Sequence, residues 1–211
     1  MKLHTFTVNP FQQNTYLITN NGKALLFDAG FFSASEFSEL NKVLKAENAV
    51  LEALVLTHAH IDHVIGVEQI RNDFDVPVYL HKDDQYLWEN YMSHAAMFGL
   101  DVKPFSFEPE WIDASSSLKI GSFEMDARHT PGHAPGHLVF YFKDHGFLIA
   151  GDTLFQGSIG RTDLYKGNYA LLEKSIKEEL YTLPGDTVVY PGHGPETTIS
   201  EEMTSNPYVR A

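Results

Sequence analysis

Alternating apolar and polar positions open the chain. Leu3 to Val8 and Thr15 to Thr19 carry this pattern, and Ala24 to Phe27 follows as a third extended run. Asn20-Asn21-Gly22 predicts a hairpin turn between the second and third runs. Phe27 leads straight into Asp28-Ala29-Gly30, a turn ending in glycine. Ser33 or Ser35 can then cap a helix with Phe37, Leu40, Val43 and Leu44 at helical spacing. Ala53 to Leu56 is short and wholly apolar, as an interior strand would be. Val64 to Arg71 suits a helix, and Val76 to Leu80 another strand.

Between Asp83 and Glu110 the periodicity weakens. Trp88, Tyr91, Met92, Met97, Phe98, Phe105 and Phe107 are spread through a stretch broken by Gly99 and Pro104. A helix followed by an irregular excursion fits, serving either as ordinary packing or as a lid facing a substrate. The second half returns to strands at Ser122 to Ala127, Leu138 to Phe142 and Phe147 to Ala150, the last running into Gly151-Asp152. Tyr169 to Leu180 has helical spacing behind Asn168 as cap, and Thr187 to Tyr190 is a last β-branched strand. Two similar halves of strands and helices suggest two sheets packed together with helices outside.

Composition narrows the chemistry. The 211 residues include no cysteine, which removes disulfides, thiolate metal sites and cysteine nucleophiles. A formal net charge of -13, with the acids scattered, offers no basic face for nucleic acid or for an anionic membrane surface. The first ten residues have neither a basic start nor an apolar run, so a cytoplasmic protein with no membrane span is expected.

Directly after the apolar strand stands Thr57-His58-Ala59-His60-Ile61-Asp62-His63, with four potential metal ligands in six positions. Imidazole and carboxylate donors suit zinc, iron(II) or manganese. Further donors lie after later strands: His133 in Pro131-Gly132-His133, Asp152 in Gly151-Asp152-Thr153, and His193 in Gly192-His193-Gly194. Each follows a glycine, which lets the backbone turn sharply and approach a crowded centre. Five histidines and two aspartates exceed the needs of one four-coordinate ion and suit two ions sharing a carboxylate. Asp28 reads either as an outer carboxylate orienting a histidine or as a turn residue. His129 and His137 flank His133 and are assigned packing or hydrogen-bonding roles; Arg161 and Asp163 are expected to brace a loop or pair. His4, His81, His94 and His145 have no motif around them, while Tyr165 and Lys166 fall where a pocket wall could run.

The H-x-H-x-D-H run, the later Gly-His, the Gly-Asp and the final Gly-His-Gly resemble the metallo-β-lactamase superfamily in order and spacing, over essentially the whole chain. That resemblance implies one domain over 1–211, a four-layer αββα sandwich of two mixed sheets with metals at one edge. It further implies that His58, His60 and His133 hold a first divalent ion and Asp62, His63 and His193 a second, with Asp152 bridging. Zinc is the first expectation, iron or manganese the next. Pro131 to His137, Gly151 to Phe155 and Gly160 to Leu164 are similar to glyoxalase II in its compact bacterial form, without the helical extension that binds glutathione.

These expectations make the chain a binuclear hydrolase of small acyl thioesters, with Asp62 and Asp152 as catalytic residues and oligomeric state open. Paired ions lower the pKa of a shared water toward neutrality, so that a bridging hydroxide can attack. Two rivals stand beside it. One is a mononuclear iron enzyme similar to persulfide dioxygenase, using His58, His133 and Asp152; the other is a lactonase or β-lactamase on the same centre.

Overall fold

The computed structural model describes residues 1–210. Six strands from the first half form one sheet in sequence order: β1 (Lys2–Val8), β2 (Gln13–Asn20), β3 (Lys23–Phe27), β4 (Val50–Val55), β5 (Val78–His81) and β6 (Glu110–Ile112). β1 to β3 pair antiparallel and β3 to β6 parallel. The second half contributes β7 (Ser115–Ile120), β8 (Phe123–His129), β9 (Leu138–Phe142) and β10 (Phe147–Gly151). A two-stranded ribbon, β11 (Leu154–Phe155) and β12 (Ser158–Ile159), then leaves the sheet before β13 (Val188–Pro191) and β14 (Thr197–Thr198) complete it. The second sheet runs in the order β14-β13-β10-β9-β8-β7. Both sheets are mixed, since β10 pairs parallel with β13 while its other neighbour, β9, is antiparallel.

The layering follows from which alternate side chains are apolar. In β3, Leu25 and Phe27 face inward and meet Phe140, Phe142 and Ile149 of the second sheet. Their neighbours Ala24 and Leu26 face outward onto Leu40 of helix Ala34–Ala46 and Ile70 of helix Val67–Phe74. On the far side, Val139, Leu148 and Val189 pack under Leu172, Leu180 and Ile199. A strand covered on both faces must be apolar at every position, which explains the unbroken run of Ala53 to Leu56. The result is the expected αββα sandwich.

Ser33 is the helix cap, in a reciprocal capping box with Glu36. The predicted helix Val64–Arg71 is instead two pieces, Ile61–Val64 and Val67–Phe74. Gly66 separates them because its backbone lies against Ala29 and Phe31, where a Cβ has no room. Tyr169–Leu180 is α-helical to Ser175 and widens to a π-turn over Ile176–Leu180. The strand expected at Val76–Leu80 runs Val78–His81. β6, the polar β7 and helix Ile199–Ser205, capped by Thr198, have no counterpart in the sequence reading. No helix among the described residues is long and apolar enough to cross a membrane.

Candidate metal centre

Strand ends build the site. Asp28 follows β3, His58 follows β4 by way of Leu56-Thr57, Thr130 to His133 follow β8, Asp152 follows β10, and Gly192-His193 follow β13. The short helix Ile61–Val64 carries Asp62 and His63 in its first turn. The sheets are tied together here: Leu138 N donates to Thr57 O at 2.8 Å, and Asn14 N to Gly192 O at 2.7 Å.

All seven sequence-predicted ligands come together in one cluster. His58, His60 and His133 form one group of donors, Asp62, His63 and His193 another, and His58, His63 and Asp152 a third that spans them; within each, the donor atoms lie within 4.8 Å of one another. Asp152 faces both sides. Its Oδ1 is 3.1 Å from His193 Nδ1 and 3.3 Å from His63 Nε2, while its Oδ2 is 3.5 Å from His133 Nε2.

The outward nitrogens fix which atoms point inward. Asp28 Oδ2 accepts from His63 Nδ1 at 2.9 Å and from the Thr57 hydroxyl at 2.7 Å. Having donated to that carboxylate, Thr57 Oγ1 is left to accept from His58 Nδ1 at 3.0 Å. His133 Nδ1 donates to Arg161 O at 2.8 Å. Nε2 of His58, His63 and His133 is therefore left with its lone pair aimed at the centre. There His58 Nε2 lies 3.2 Å and His60 Nδ1 2.9 Å from His133 Nε2, and the buried His63 Nε2 has no hydrogen-bond partner. The facing lone pairs of His58 and His133 repel unless a cation, metal ion or proton, lies between them. The donor set, nitrogen and oxygen without sulfur, fits divalent zinc, iron or manganese.

Electrostatics favour the same occupant. Burial, reinforced by neighbouring imidazoles, holds His58 well below its ordinary pKa and His60 at about 3. Burial also opposes charge on His63 and His193, but there the carboxylates prevail. Asp152, Asp62 and Asp28 raise His63 well above its usual value, and bonds to Asp152 and Asp62 lift His193 to about 9. Burial likewise resists ionisation of Asp152, yet His63 and His193 keep its carboxyl well below the usual range. Positive charge is thus favoured beside Asp62 and Asp152, while His58 and His60 stay neutral with nitrogen lone pairs to offer a cation.

A model of the Metallo-beta-lactamase superfamily matches residues 8–193. The chain belongs to that superfamily. It is a metal-dependent hydrolase by that membership. Hydroxyacylglutathione hydrolase GloC of Haemophilus influenzae is 35% identical over 100% of this chain and 99% of its own length. The BLEG-1 B3 metallo-beta-lactamase structure is 36% identical, with a TM-score of 0.89 and all of both chains covered. TTHA1623, solved in a di-iron-bound form, is 34% identical with a TM-score of 0.88, covering 98% of this chain and 100% of that one.

Other side chains support the ligands, and one of them, Asp84, carries no motif. Asp84 is fully buried and clasps the two histidine loops, accepting from Ala59 N at 2.8 Å and Gly136 N at 2.6 Å. Burial, opposed by those two bonds, pushes its pKa up to about 7. Nothing in the local sequence distinguishes Asp84 from Asp83 beside it. His137 hydrogen-bonds, as expected: its Nε2 accepts from Asp152 N at 3.0 Å, and its Nδ1 donates toward the Thr130 and Thr153 hydroxyls. Asp28 proves to be both alternatives, a histidine's partner and a turn residue at φ 53. Arg161 and Asp163 pair through two bonds of 2.7 and 2.8 Å.

A cavity of about 630 Å³ opens beside His60, Asp62, Asp152 and His193. The 83–110 stretch divides its roles. Trp88 and Tyr91 stack on Phe105 in ordinary core packing, while Leu87, His94, Met97 and Phe98 line the cavity. His94, set aside on sequence grounds, is thus beside the site, and Tyr165 lines it whereas Lys166 sits on the Tyr165 ring. His81 and His129, also expected to be unremarkable in function, stack at 4.5 Å near Asp83. Their planes lie only 19° apart, so no ion can sit in the plane of both rings as imidazole coordination requires.

Proposed function

We propose that this chain hydrolyses acyl thioesters, with His58, His60 and His133 holding one divalent ion, Asp62, His63 and His193 holding a second, and Asp152 shared. The observation that carries this reading is the position of Asp152, whose two carboxylate oxygens face different donor groups. Zinc is the first candidate, with iron or manganese within the same donor chemistry. When bound, such a pair supplies a water made nucleophilic near neutral pH and polarises a carbonyl.

The chain's own residues do the rest. Asp62 lines the cavity with its carboxylate 3.1 Å from His193 Nε2, placed to orient an attacking water by hydrogen bonding. Phe11, Leu87, Phe98, Phe155 and Ile159 line the cavity beside them, so a bound substrate would displace water from apolar surface next to the reacting carbonyl. A departing thiol of pKa about 8.5 leaves readily as thiolate, so no dedicated acid is required. The similarity to GloC supports a thioester.

Two rivals make different demands. A mononuclear iron oxygenase needs one triad, and the intact second group Asp62, His63 and His193 speaks against it. The likeness to BLEG-1 keeps a β-lactam in view as an activated carbonyl. Steady-state assays of one metal-loaded preparation with a thioester, a lactone and a β-lactam test the reading. Thioester turnover with the highest kcat/KM is expected, and a preference for the lactam or lactone would overturn it.

A further inference from the structure

We infer that the cavity beside the metal centre selects thioesters whose non-reacting part is uncharged and apolar, in preference to thioesters of glutathione; this rests on the thioester reading above. Phe11 and Phe98 meet edge-to-face at 5.2 Å on one wall, extended by Met97. Leu164 and Tyr165 stand elsewhere in the lining, Tyr165 braced by a stack on Tyr86 at 3.9 Å. Several of these groups lie open to water, Met97 at 79% and Phe98 at 56% exposure. Apolar surface gathered at the mouth of a cavity is stabilised by an apolar ligand that displaces its water. The flexible thioether of Met97 adapts readily to ligands of varied shape.

Charge points the same way. Among the described residues of the lining, Arg161 is the one lysine or arginine, and its guanidinium is already forked onto Asp163. That pairing holds the Asp163 carboxyl down to about 2. Lys166 lies outside the lining, with Nζ 5.5 Å from the Tyr165 ring centroid. The carboxylates of glutathione would therefore meet no uncommitted lysine or arginine in a largely apolar lining, where His94 is the one further imidazole besides the proposed metal ligands. Removing a carboxylate from water without a partner is costly. The net charge of -13 adds long-range repulsion to the approach of an anion.

The test uses the metal-loaded full chain and two lactoyl thioesters, one of benzyl mercaptan and one of glutathione. Calorimetric titration of benzyl 2-hydroxyethyl sulfide and S-benzylglutathione, neither of them hydrolysable, gives a readout independent of turnover. A kcat/KM at least about tenfold higher for the benzyl mercaptan ester is expected, as apolar contacts of this size produce. The neutral sulfide should bind the tighter of the two. In the variant Met97→Lys, at an exposed position where folding is not at risk, the preference should shift toward glutathione by about fivefold, the worth of one exposed charge pair. Equal or better use of the glutathione ester, tighter binding of S-benzylglutathione, or an unmoved ratio in Met97→Lys would overturn the inference. If neither ester turns over, the thioester reading fails, and the titrations alone decide what the cavity prefers.

Discussion

Asp28 accepts a hydrogen bond from His63 over 2.9 Å, with both side chains buried. Through Thr57, the same carboxylate also fixes the orientation of His58. One residue on the β3 turn thus sets the tautomer of a histidine in each of the two proposed ligand triads. In Asp28→Asn, the amide can donate to His63 Nδ1, moving the proton to Nε2 and blocking the inward lone pair. Metal affinity should fall about 10–100-fold, the usual cost of losing such a partner. Competition against a chromophoric chelator measures it, with denaturation as a check on folding. An unchanged affinity in a folded variant would remove Asp28 from the centre.

Gly192 has no space for a side chain, because a Cβ there would meet Asp152 Oδ1 and His63 Cε1. Its backbone cannot retreat, being bonded to Gly151 O and Asn14 N, each at 2.7 Å. Gly192→Ala should displace Asp152, reduce the metal retained on purification, and cost about 1–3 kcal/mol from overpacking. Elemental analysis and urea denaturation would show both effects. Full metal content at wild-type stability would mean that the close approach is dispensable.

Asp84 joins the His58–His63 loop to the His133 loop through backbone amides alone. Asp84→Ala leaves two buried amides unpaired, at about 1–3 kcal/mol each, and should loosen metal binding although no ligand changes. A pH signature distinguishes Asp84 itself. Its folded pKa, about 7, lies above the unfolded value, so the proton is bound more tightly in the folded state. The stability linked to that proton is fully present below about pH 4 and is lost as pH rises to about 7. The stability difference between wild type and Asp84→Asn, measured on metal-free protein, should therefore shift against the wild type across this window. A difference independent of pH would contradict the assignment.

Much of the site could be read from the chain because its ligands sit in compact motifs at strand ends. The run from His58 to His63 is contiguous, and His133, Asp152 and His193 each follow a glycine. The αββα layering was legible for a related reason: doubly covered strands such as Ala53 to Leu56 are apolar throughout. Other features depend on contacts distant in sequence. Asp84 acts on amides 25 and 52 residues away. Gly66 breaks a helix because of Ala29 and Phe31, and His94 reaches the cavity only once its helix is packed. β6 and β7 are short or polar edge segments whose pairing partners, rather than their own pattern, make them strands.

The most direct test of a shared binuclear centre is the metal-to-protein ratio of the purified chain, measured with thioester hydrolysis on the same sample. The account predicts about two ions per chain, with turnover that disappears on chelation and returns with metal. One iron per chain, no thioester hydrolysis, and oxygen uptake in the presence of a persulfide would contradict it.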